Sequence, residues 1–145
     1  MKYSSKLSDA IHVLVLIALN PLENMTSATF ATSIKTNAGF IRQIMSALKK
    51  GNIIESVRGR ATPSLTKSPE SITLLEIYKA IEGDKPLLHL DTHTNPECGI
   101  GVNIQYSIQD FYNQIQVSAE KEMEGITLQN IIDNYNNKVF KNGWK

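Results

Sequence analysis

The stretch TSATFATSIKTNAGFIRQIMSALKKGN, residues 26–52, decides the fold. Its first nine residues predict a short helix that is capped by Thr26 or Ser27 and has Phe30, Ala31 and Ile34 on one face. The segment KTN is a turn, and Asn37 or Thr36 caps a second helix that ends at Gly51. The buried face of this second helix is predicted as Phe40 or Ile41, followed by Ile44, Met45 and Leu48. Two short helices joined by such a turn form a helix-turn-helix unit.

A hairpin is predicted directly after the second helix. The segment NIIESV, residues 52–57, indicates a strand, and SLTK, residues 64–67, indicates the returning strand. Between them RGRATP forms a turn built on Gly59 and Pro63. A hairpin in this position is a wing, so the order of elements predicts a winged helix.

The first helix is predicted over residues 4–19, SSKLSDAIHVLVLIAL. Pro21 ends it, because a proline disfavours helix at the residue before it. His12 lies within this apolar helix and is predicted to be a core histidine with satisfied ring nitrogens. The helix is expected to be largely buried, through apolar residues at helical spacing: Leu7, Ile11, Leu14, Val15 and Ala18.

Charge is divided unevenly along the 145 residues, although the formal net charge is only +1. Residues 1–67 contain nine Lys or Arg against three acids, a balance of +6. Residues 68–145 contain six against eleven, a balance of −5. This division indicates that the first half meets a polyanion, with chance clustering of surface charge as the alternative.

The second half predicts two amphipathic helices around a loop. ITLLEIYKAIEG, residues 72–83, opens with a capping box from Thr73 to Glu76 and turns Leu74, Ile77, Tyr78 and Ile81 inward. After a loop, apolar residues recur at steps of four and three: Ile104, Ile108, Phe111, Ile115 and Ala119. This stripe must be covered, either by the chain's own winged helix or by a twofold partner. Because helix-turn-helix proteins usually bind DNA as dimers, we predict that the stripe is a dimer interface.

The helix-turn-helix unit and the wing supply the predicted DNA contacts. At the open end of the second helix, small groups allow the backbone to approach phosphate, and Arg42 and Gln43 can reach base edges. Arg58 and Arg60 flank Gly59 at the wing tip, which suits a narrow minor groove or phosphates. For each residue alone, a solvated surface side chain is the alternative. The predicted DNA-contact set is Lys2, Ser27, Thr36, Asn37, Gly39, Phe40, Arg42, Gln43, Arg58 and Arg60.

Cys98 is the only cysteine, so an intramolecular disulfide is excluded and no cofactor or iron–sulfur cluster is expected. A thiol at the start of a helix is reactive, which makes Cys98 a redox candidate, and a small buried residue at a corner is the alternative. His89, His93 and Cys98 match no familiar zinc spacing, so no metal site is predicted. The sequence contains no motif typical of an enzyme. The apolar run at 11–19 is too short to span a bilayer, and a cytoplasmic protein is expected.

The sequence resembles the Rrf-two (Rrf2) family of bacterial winged-helix transcription regulators. The resemblance rests on residues 26–59, on ITLLEIYKAIEG at 72–83 and on TLQNII at 127–132. Within the family it is most similar to the YwnA-like branch, through Thr36-Asn37-Ala38 and the loop NPECGIG at 95–101. Relatives that hold an iron–sulfur cluster use three cysteines, so the resemblance implies a member without a cluster.

Pattern and resemblance together predict a mainly α fold with a small β-hairpin wing and a long C-terminal dimerisation helix. The winged helix is expected at 1–83, a connecting loop at 84–101, and the dimerisation helix with a C-terminal helix packed on the winged helix at 102–145. The expected function is a homodimeric, sequence-specific repressor on double-stranded DNA that responds to oxidation at Cys98. The alternatives are a response to a small molecule, or a protein-interaction module that no longer binds DNA.

Overall fold

A computed structural model describes residues 4–20 and 24–143 of the chain. It contains six helices and one two-stranded antiparallel sheet within those residues, which confirms the predicted mainly α fold with a small wing. In chain order the elements are α1 (Lys6–Leu19), α2 (Ser27–Ile34), α3 (Ala38–Lys50), β1 (Ile54–Glu55), β2 (Ser64–Leu65), a 3-10 turn (Pro69–Ser71), α4 (Leu74–Glu82), α5 (Gly99–Glu124) and α6 (Leu128–Asn142).

One hydrophobic core joins every helix except α5. Its buried side chains come from α1, α2, α3, α4 and α6, and also from Met25 before α2, Ile53 and Ile54 at β1, and Ile72 before α4. Full burial of each large aliphatic side chain contributes about 1.5–3 kcal/mol. The fully buried aliphatic members include Val13, Leu14, Ile41, Ile44, Leu48, Ile77 and Leu128. By contrast, α5 contributes no buried residue.

Side-chain caps set where the helices begin. Thr26 caps α2, Asn37 caps α3, and Thr73 caps α4, each through a side-chain oxygen that accepts a backbone N–H. Of the predicted capping box at α4, only the threonine half is formed, because Glu76 pairs with Lys67 at 2.8 Å instead. A complete capping box starts α6, between Thr127 and Asn130.

The C-terminal helix α6 is tied back to the winged helix by backbone pairing. Leu74 N–H donates to Ile126 O and Leu128 N–H donates to Ile72 O, both at 2.8 Å. Leu128 and Ile132 are buried, and α6 packs against α1 and the 3-10 turn. The start of α4 and the start of α6 therefore form a single joint.

The face that α1 buries differs from the predicted one. The buried residues are Ala10, Val13, Leu14 and Ile17, whereas the other predicted positions (Leu7, Ile11, Val15 and Ala18) are half-buried. The prediction for His12 was wrong: its side chain is exposed, and Nε2 lies 3.1 Å from Ser33 Oγ. Because α1 is apolar around most of its circumference, periodicity alone could not select the buried face.

The lengths of the two strands and the start of α5 also differ from prediction. The paired strands are two residues each, in the register Ile54 to Leu65 and Glu55 to Ser64. Helix α5 begins at Gly99, inside the predicted loop 84–101. Helix α3 ends at its C-cap, Gly51, as predicted, and the left-handed conformation that follows it is at Asn52, with φ 58°. Gly51 serves the packing, because a Cβ there would lie 2.7 Å from Ala80 Cβ on α4.

Candidate nucleic-acid interface

The beginning of α3 is an open helix N-terminus. Asn37 Oδ1 accepts a hydrogen bond from Phe40 N–H at 2.8 Å, so this oxygen caps the helix. Gly39 lies in the first turn, where an added Cβ would be 3.2 Å from the same oxygen. Phe40 is half-buried and packs against the core. The free N–H groups and the positive end of the dipole favour an anion here.

The two faces of α3 differ completely in burial. Ile41, Ile44, Met45 and Leu48 are buried. The opposite face exposes Arg42 and Gln43. Sequence reasoning missed Ser46 and Lys50, which continue this exposed face at steps of four from Arg42. That helical spacing was the signal that could have found them.

The helix α2 and its turn hold α3 in place. Lys35 adopts a left-handed conformation with φ 64°, and its N–H donates to Ala31 O at the end of α2. Thr36 is half-buried, and its N–H also donates to Ala31 O, at 2.9 Å. Ser27 is the first residue of α2 and is half-buried. Lys2 lies outside the described residues, so its predicted role stays a prediction.

The wing carries two arginines around a glycine. Gly59 has φ +79°, a conformation that glycine adopts without strain, and nothing lies within 4 Å of the position of a Cβ there. Arg58 is exposed and Arg60 is half-buried. Arg60 N–H donates to Val57 O at 3.1 Å and closes the turn.

A basic cleft lies beside the exposed face of α3. It is lined by residues of α1, α3 and α4: Lys6, Gln43, Ser46, Ala47, Lys50, Gly51, Lys79 and Ala80. Lys79 Nζ is 2.7 Å from Glu120 Oε1, and this hydrogen bond raises the pKa of Lys79 and lowers the pKa of Glu120. Lys6 and Lys50 supply the remaining positive charge of the cleft, next to the face that presents Gln43.

The junction between α4 and α5 is polar and depends on Gln116. Its Oε1 accepts from Leu87 N–H at 2.9 Å, and its Nε2 donates to Tyr78 OH and to Glu120 Oε2, each at 3.1 Å. Tyr78 OH donates in turn to Lys85 O at 3.0 Å. One side chain thus connects α4, α5 and the loop between them.

The predicted stripe on α5 is largely uncovered within the chain. Ile104 is 52% exposed, Phe111 66% and Ile115 49%, whereas Ile108 and Ala119 are half-buried. An open apolar groove at the start of the helix is lined by residues of α5 alone: Gly99, Ile100, Asn103, Ile104, Ser107, Ile108 and Phe111. The alternative in which the stripe packs on its own winged helix is therefore not what this structure shows.

Cys98 is exposed and is the N-cap residue of α5. Gly101 N–H donates to its Sγ at 3.4 Å. The alternative of a buried structural cysteine was wrong for the isolated chain. Across residues 4–20 and 24–143, no three His, Cys, Asp or Glu side chains are grouped to hold a metal. The residues present therefore do not fit an iron–sulfur cluster bound by one chain.

The comparisons with known proteins agree with this geometry. A family model described as Rrf2, an iron-dependent transcriptional regulator, matches residues 3–134. YwnA of Bacillus subtilis (strain 168), designated an HTH-type transcriptional regulator, is 33% identical over 130 residues, which cover 90% of this chain and 96% of YwnA.

Solved structures share the fold. A crystal structure described as a DNA-binding protein superposes with a TM-score of 0.73 at 33% identity, over 88% of this chain and 99% of that one. CymR (YrzC), described as the global cysteine regulator of B. subtilis, gives a TM-score of 0.66 at 16% identity, over 92% and 97%. At that identity the likeness to CymR concerns the fold alone. No helix in the described part of the chain is long and apolar enough to cross a membrane.

Proposed function

The chain belongs to the Rrf2 family and is a DNA-binding transcriptional regulator, and we propose that it binds a two-half-site operator as a homodimer. The observation that carries the DNA-binding geometry is α3, whose capped N-terminus and exposed polar face lie in the basic half of the chain. A helix of this kind enters the major groove by its N-terminal residues. As a regulator of genes it would act in the cytoplasm, and we propose repression as its mode of action.

Within the proposed complex, Arg42 and Gln43 read bases. Arg42 is one turn into α3 and exposed, so its guanidinium can pair with guanine O6 and N7, and Gln43 suits adenine. Thr36, Gly39 and the backbone of Phe40 surround the helix N-terminus and would contact phosphate. Asn37 takes part mainly by capping, because its Oδ1 is already bonded to Phe40 N–H.

The remaining proposed contacts lie at the edges of this surface. Ser27 begins α2, and Arg58 and Arg60 form the wing tip, which would lie along the backbone or in the minor groove. Lys6 and Lys50 in the basic cleft extend the positive surface beside α3 and are proposed as further phosphate contacts.

The proposed dimer interface is the stripe of α5. Three of its five residues are about half or more exposed in the single chain, and α5 has no buried residue. An apolar stripe of this extent, about 24 Å from Ile104 to Ala119, favours a second copy of the same helix as its cover. A twofold pair would present two α3 helices to half-sites about 34–36 Å apart.

DNA reading by Arg42 can be tested by fluorescence anisotropy on a duplex selected from genomic fragments. Replacing Arg42 with Ala should cost about 1–3 kcal/mol of binding free energy and relax the preference at one base pair. Lys138→Ala is the matched control, because Lys138 is an exposed cation on α6 in the acidic half. Equal affinity of Arg42→Ala and wild type for the selected duplex would remove Arg42 from the reading role.

A thiol response is favoured by the exposure of Cys98 at the start of α5. Exchange of the Cys98 thiolate with a small-molecule disulfide, which forms a mixed disulfide and releases one small thiolate, would change the beginning of the proposed dimer helix and so the spacing of the two α3 helices. DNA binding should fall on oxidation of the wild type and persist in Cys98→Ser. If the serine variant loses binding at the same oxidant dose, or neither protein responds, a small-molecule effector becomes the better proposal.

A further inference from the structure

The paired part of the wing is too short to fix the orientation of the wing tip. Two residue pairs join β1 to β2, and Thr66 N–H donates to Ile53 O at 3.0 Å at the base of the hairpin, so the tip from Ser56 to Pro63 lies outside the ladder. A two-stranded hairpin on its own is marginally stable in water. Gly59, at the tip, has open space around it. The orientation of Arg58 and Arg60 therefore depends on some contact beyond the strand pairing.

That contact is made by the segment before α2. Asn24 Oδ1 accepts hydrogen bonds from Ala61 N–H at 2.6 Å and from Thr62 N–H at 3.4 Å. Thr62 Oγ1 donates to Met25 O at 2.8 Å and also accepts from Met25 N–H. Four hydrogen bonds thus join two segments that are 37 or 38 residues apart.

The hydrogen bonds of Asn24 and Thr62 form a clasp between the two segments, and the bonds made by Thr62 are buried. Thr62 is 1% exposed and Met25 is 6% exposed, so water cannot replace the bonds between them. Removing the hydroxyl would leave both Met25 backbone groups without this partner in a dry site. Asn24 is exposed, so its loss can loosen the wing without opening the core.

The position of the clasp connects it to α3. Met25 directly precedes Thr26, the N-cap of α2, and α2 packs on α3. The returning arm of the wing, which contains Thr62, is therefore held next to the start of the helix-turn-helix unit. A fixed relation between the two DNA-contacting elements lowers the conformational entropy lost when both engage one duplex.

We propose that Asn24 and Thr62 are positioning residues that hold the arginine tip of the wing at a fixed orientation to α3 for DNA binding. This proposal rests on the proposed function, because it assumes that the wing touches DNA. Neither side chain needs to contact the duplex itself. They act by keeping Arg58 and Arg60 where the backbone passes.

A double-mutant cycle on the whole chain tests the proposal that Asn24 and Thr62 position the wing tip. Affinity for the selected duplex is measured against salt concentration for four proteins: wild type, Asn24→Ala, Arg58→Ala/Arg60→Ala, and the triple variant. Asn24→Ala should weaken binding on the order of tenfold and flatten the slope of log affinity against log salt, because wing phosphate contacts become less frequent. In the Arg58→Ala/Arg60→Ala background the same change should have no further effect, since the tip then has nothing to position.

Conservative variants separate positioning from folding. Thr62→Ser keeps the hydroxyl and should retain the wild-type salt slope, whereas Thr62→Val should behave as Asn24→Ala does. Circular dichroism of Asn24→Ala should show wild-type helix content, and the variant should keep the base preference set by Arg42.

Two results would overturn the proposal while leaving DNA binding intact: a wild-type salt slope for Asn24→Ala, or a loss that persists undiminished in the triple variant. The second would mean that Asn24 acts through the fold and not through the wing. A wild-type protein with no salt-dependent affinity for any duplex would instead refute the proposed function, and this proposal with it.

Discussion

Helices α3 and α5 are both amphipathic, yet the chain treats them in opposite ways. The 13 residues of α3 include four that are buried, whereas none of the 26 residues of α5 is buried. In α3 the apolar side points into the common core and the polar side is presented to solvent. In α5 the apolar stripe is the surface that is presented. The apolar side of α3 is thus covered by its own chain, whereas most of the apolar stripe of α5 is exposed in the single chain.

This difference in burial predicts how the stability of each part of the chain depends on protein concentration. The winged helix carries its own core, so its stability should not depend on protein concentration. The attachment of α5 to it includes the polar junction around Gln116 and the ion pair between Lys79 and Glu120. Of these contacts, the ion pair is partly exposed to solvent and therefore contributes little to stability. The stability of α5 should therefore rise with association, as mass action requires for a group buried only in the dimer.

The largest expected effect is a difference in stability loss between a variant of α3 and a variant of α5. Leu48→Ala removes a fully buried side chain of α3 and should lower the free energy of unfolding by about 2–5 kcal/mol at every protein concentration. Ile115→Ala on α5, which is 49% exposed in the chain, should lower the free energy of unfolding only where the dimer is populated. Urea titrations over a hundredfold range of protein concentration measure both. Equal, concentration-independent losses would mean that α5 is already covered within one chain.

The second effect concerns association alone. Phe111→Glu would place a charge in a dry interface and should raise the dimer dissociation constant about 100-fold, near 3 kcal/mol, as measured by sedimentation. Val117→Glu is the matched control, because Val117 is an apolar residue of the same helix, 68% exposed. It lies about 120° around the helix from Phe111, outside the stripe. A dimer that survives Phe111→Glu but is lost with Val117→Glu would place the interface on the other side of α5.

The smallest effect concerns the junction between α4 and α5. Gln116→Ala removes one hydrogen bond to α4, one to the loop and one within α5, and should cost about 1–2 kcal/mol. Hydrogen exchange at the Leu87 amide should accelerate, because its acceptor is lost. Gln114→Ala, at an exposed position on the same helix, should leave that amide unchanged. Unaltered exchange at Leu87 in both variants would show that Gln116 does not hold the loop.

Acid should weaken the junction between α4 and α5. Glu120 has a pKa lowered from 4.5 by its hydrogen bond with Lys79, so the folded state favours the ionised carboxylate. The stabilisation is fully present above 4.5 and is lost as the pH falls through the lower, folded-state pKa. Wild type and Glu120→Gln should therefore converge in stability on acidification, when followed by urea titration. A difference that grows on acidification would contradict this pairing.

The parts that could be predicted from the sequence are those governed by local pattern. The turn between α2 and α3 and the buried face of α3 followed from caps at Thr26 and Asn37 and from a clean helical period. The stripe on α5 was also found this way, although periodicity shows which face is apolar and not what covers it. The early start of α5 was missed because Gly99 and Gly101 are poor helix formers that the Cys98 cap offsets.

The parts that could not be predicted depend on contacts between distant segments. His12 was misplaced because α1 is apolar on several sides, and only the packing of α2 places Ser33 beside it. The clasp joins Asn24 to the backbone of Thr62, 38 residues away, and the buried Thr62 hydroxyl to the backbone of Met25, and the sequence carries no local signal for either contact. The DNA-contact residues themselves stay predictions, as does the homodimer.

The most direct test is the number of chains that bind one selected operator duplex at saturation. Sedimentation of a fluorescently labelled duplex measures it for wild type and for Phe111→Glu. With α3 reading DNA and α5 joining two copies, the wild type should load two chains in one cooperative step, and Phe111→Glu should load them singly and far more weakly. A wild type that saturates at one chain, with the same affinity as Phe111→Glu, would contradict the division of roles between α3 and α5.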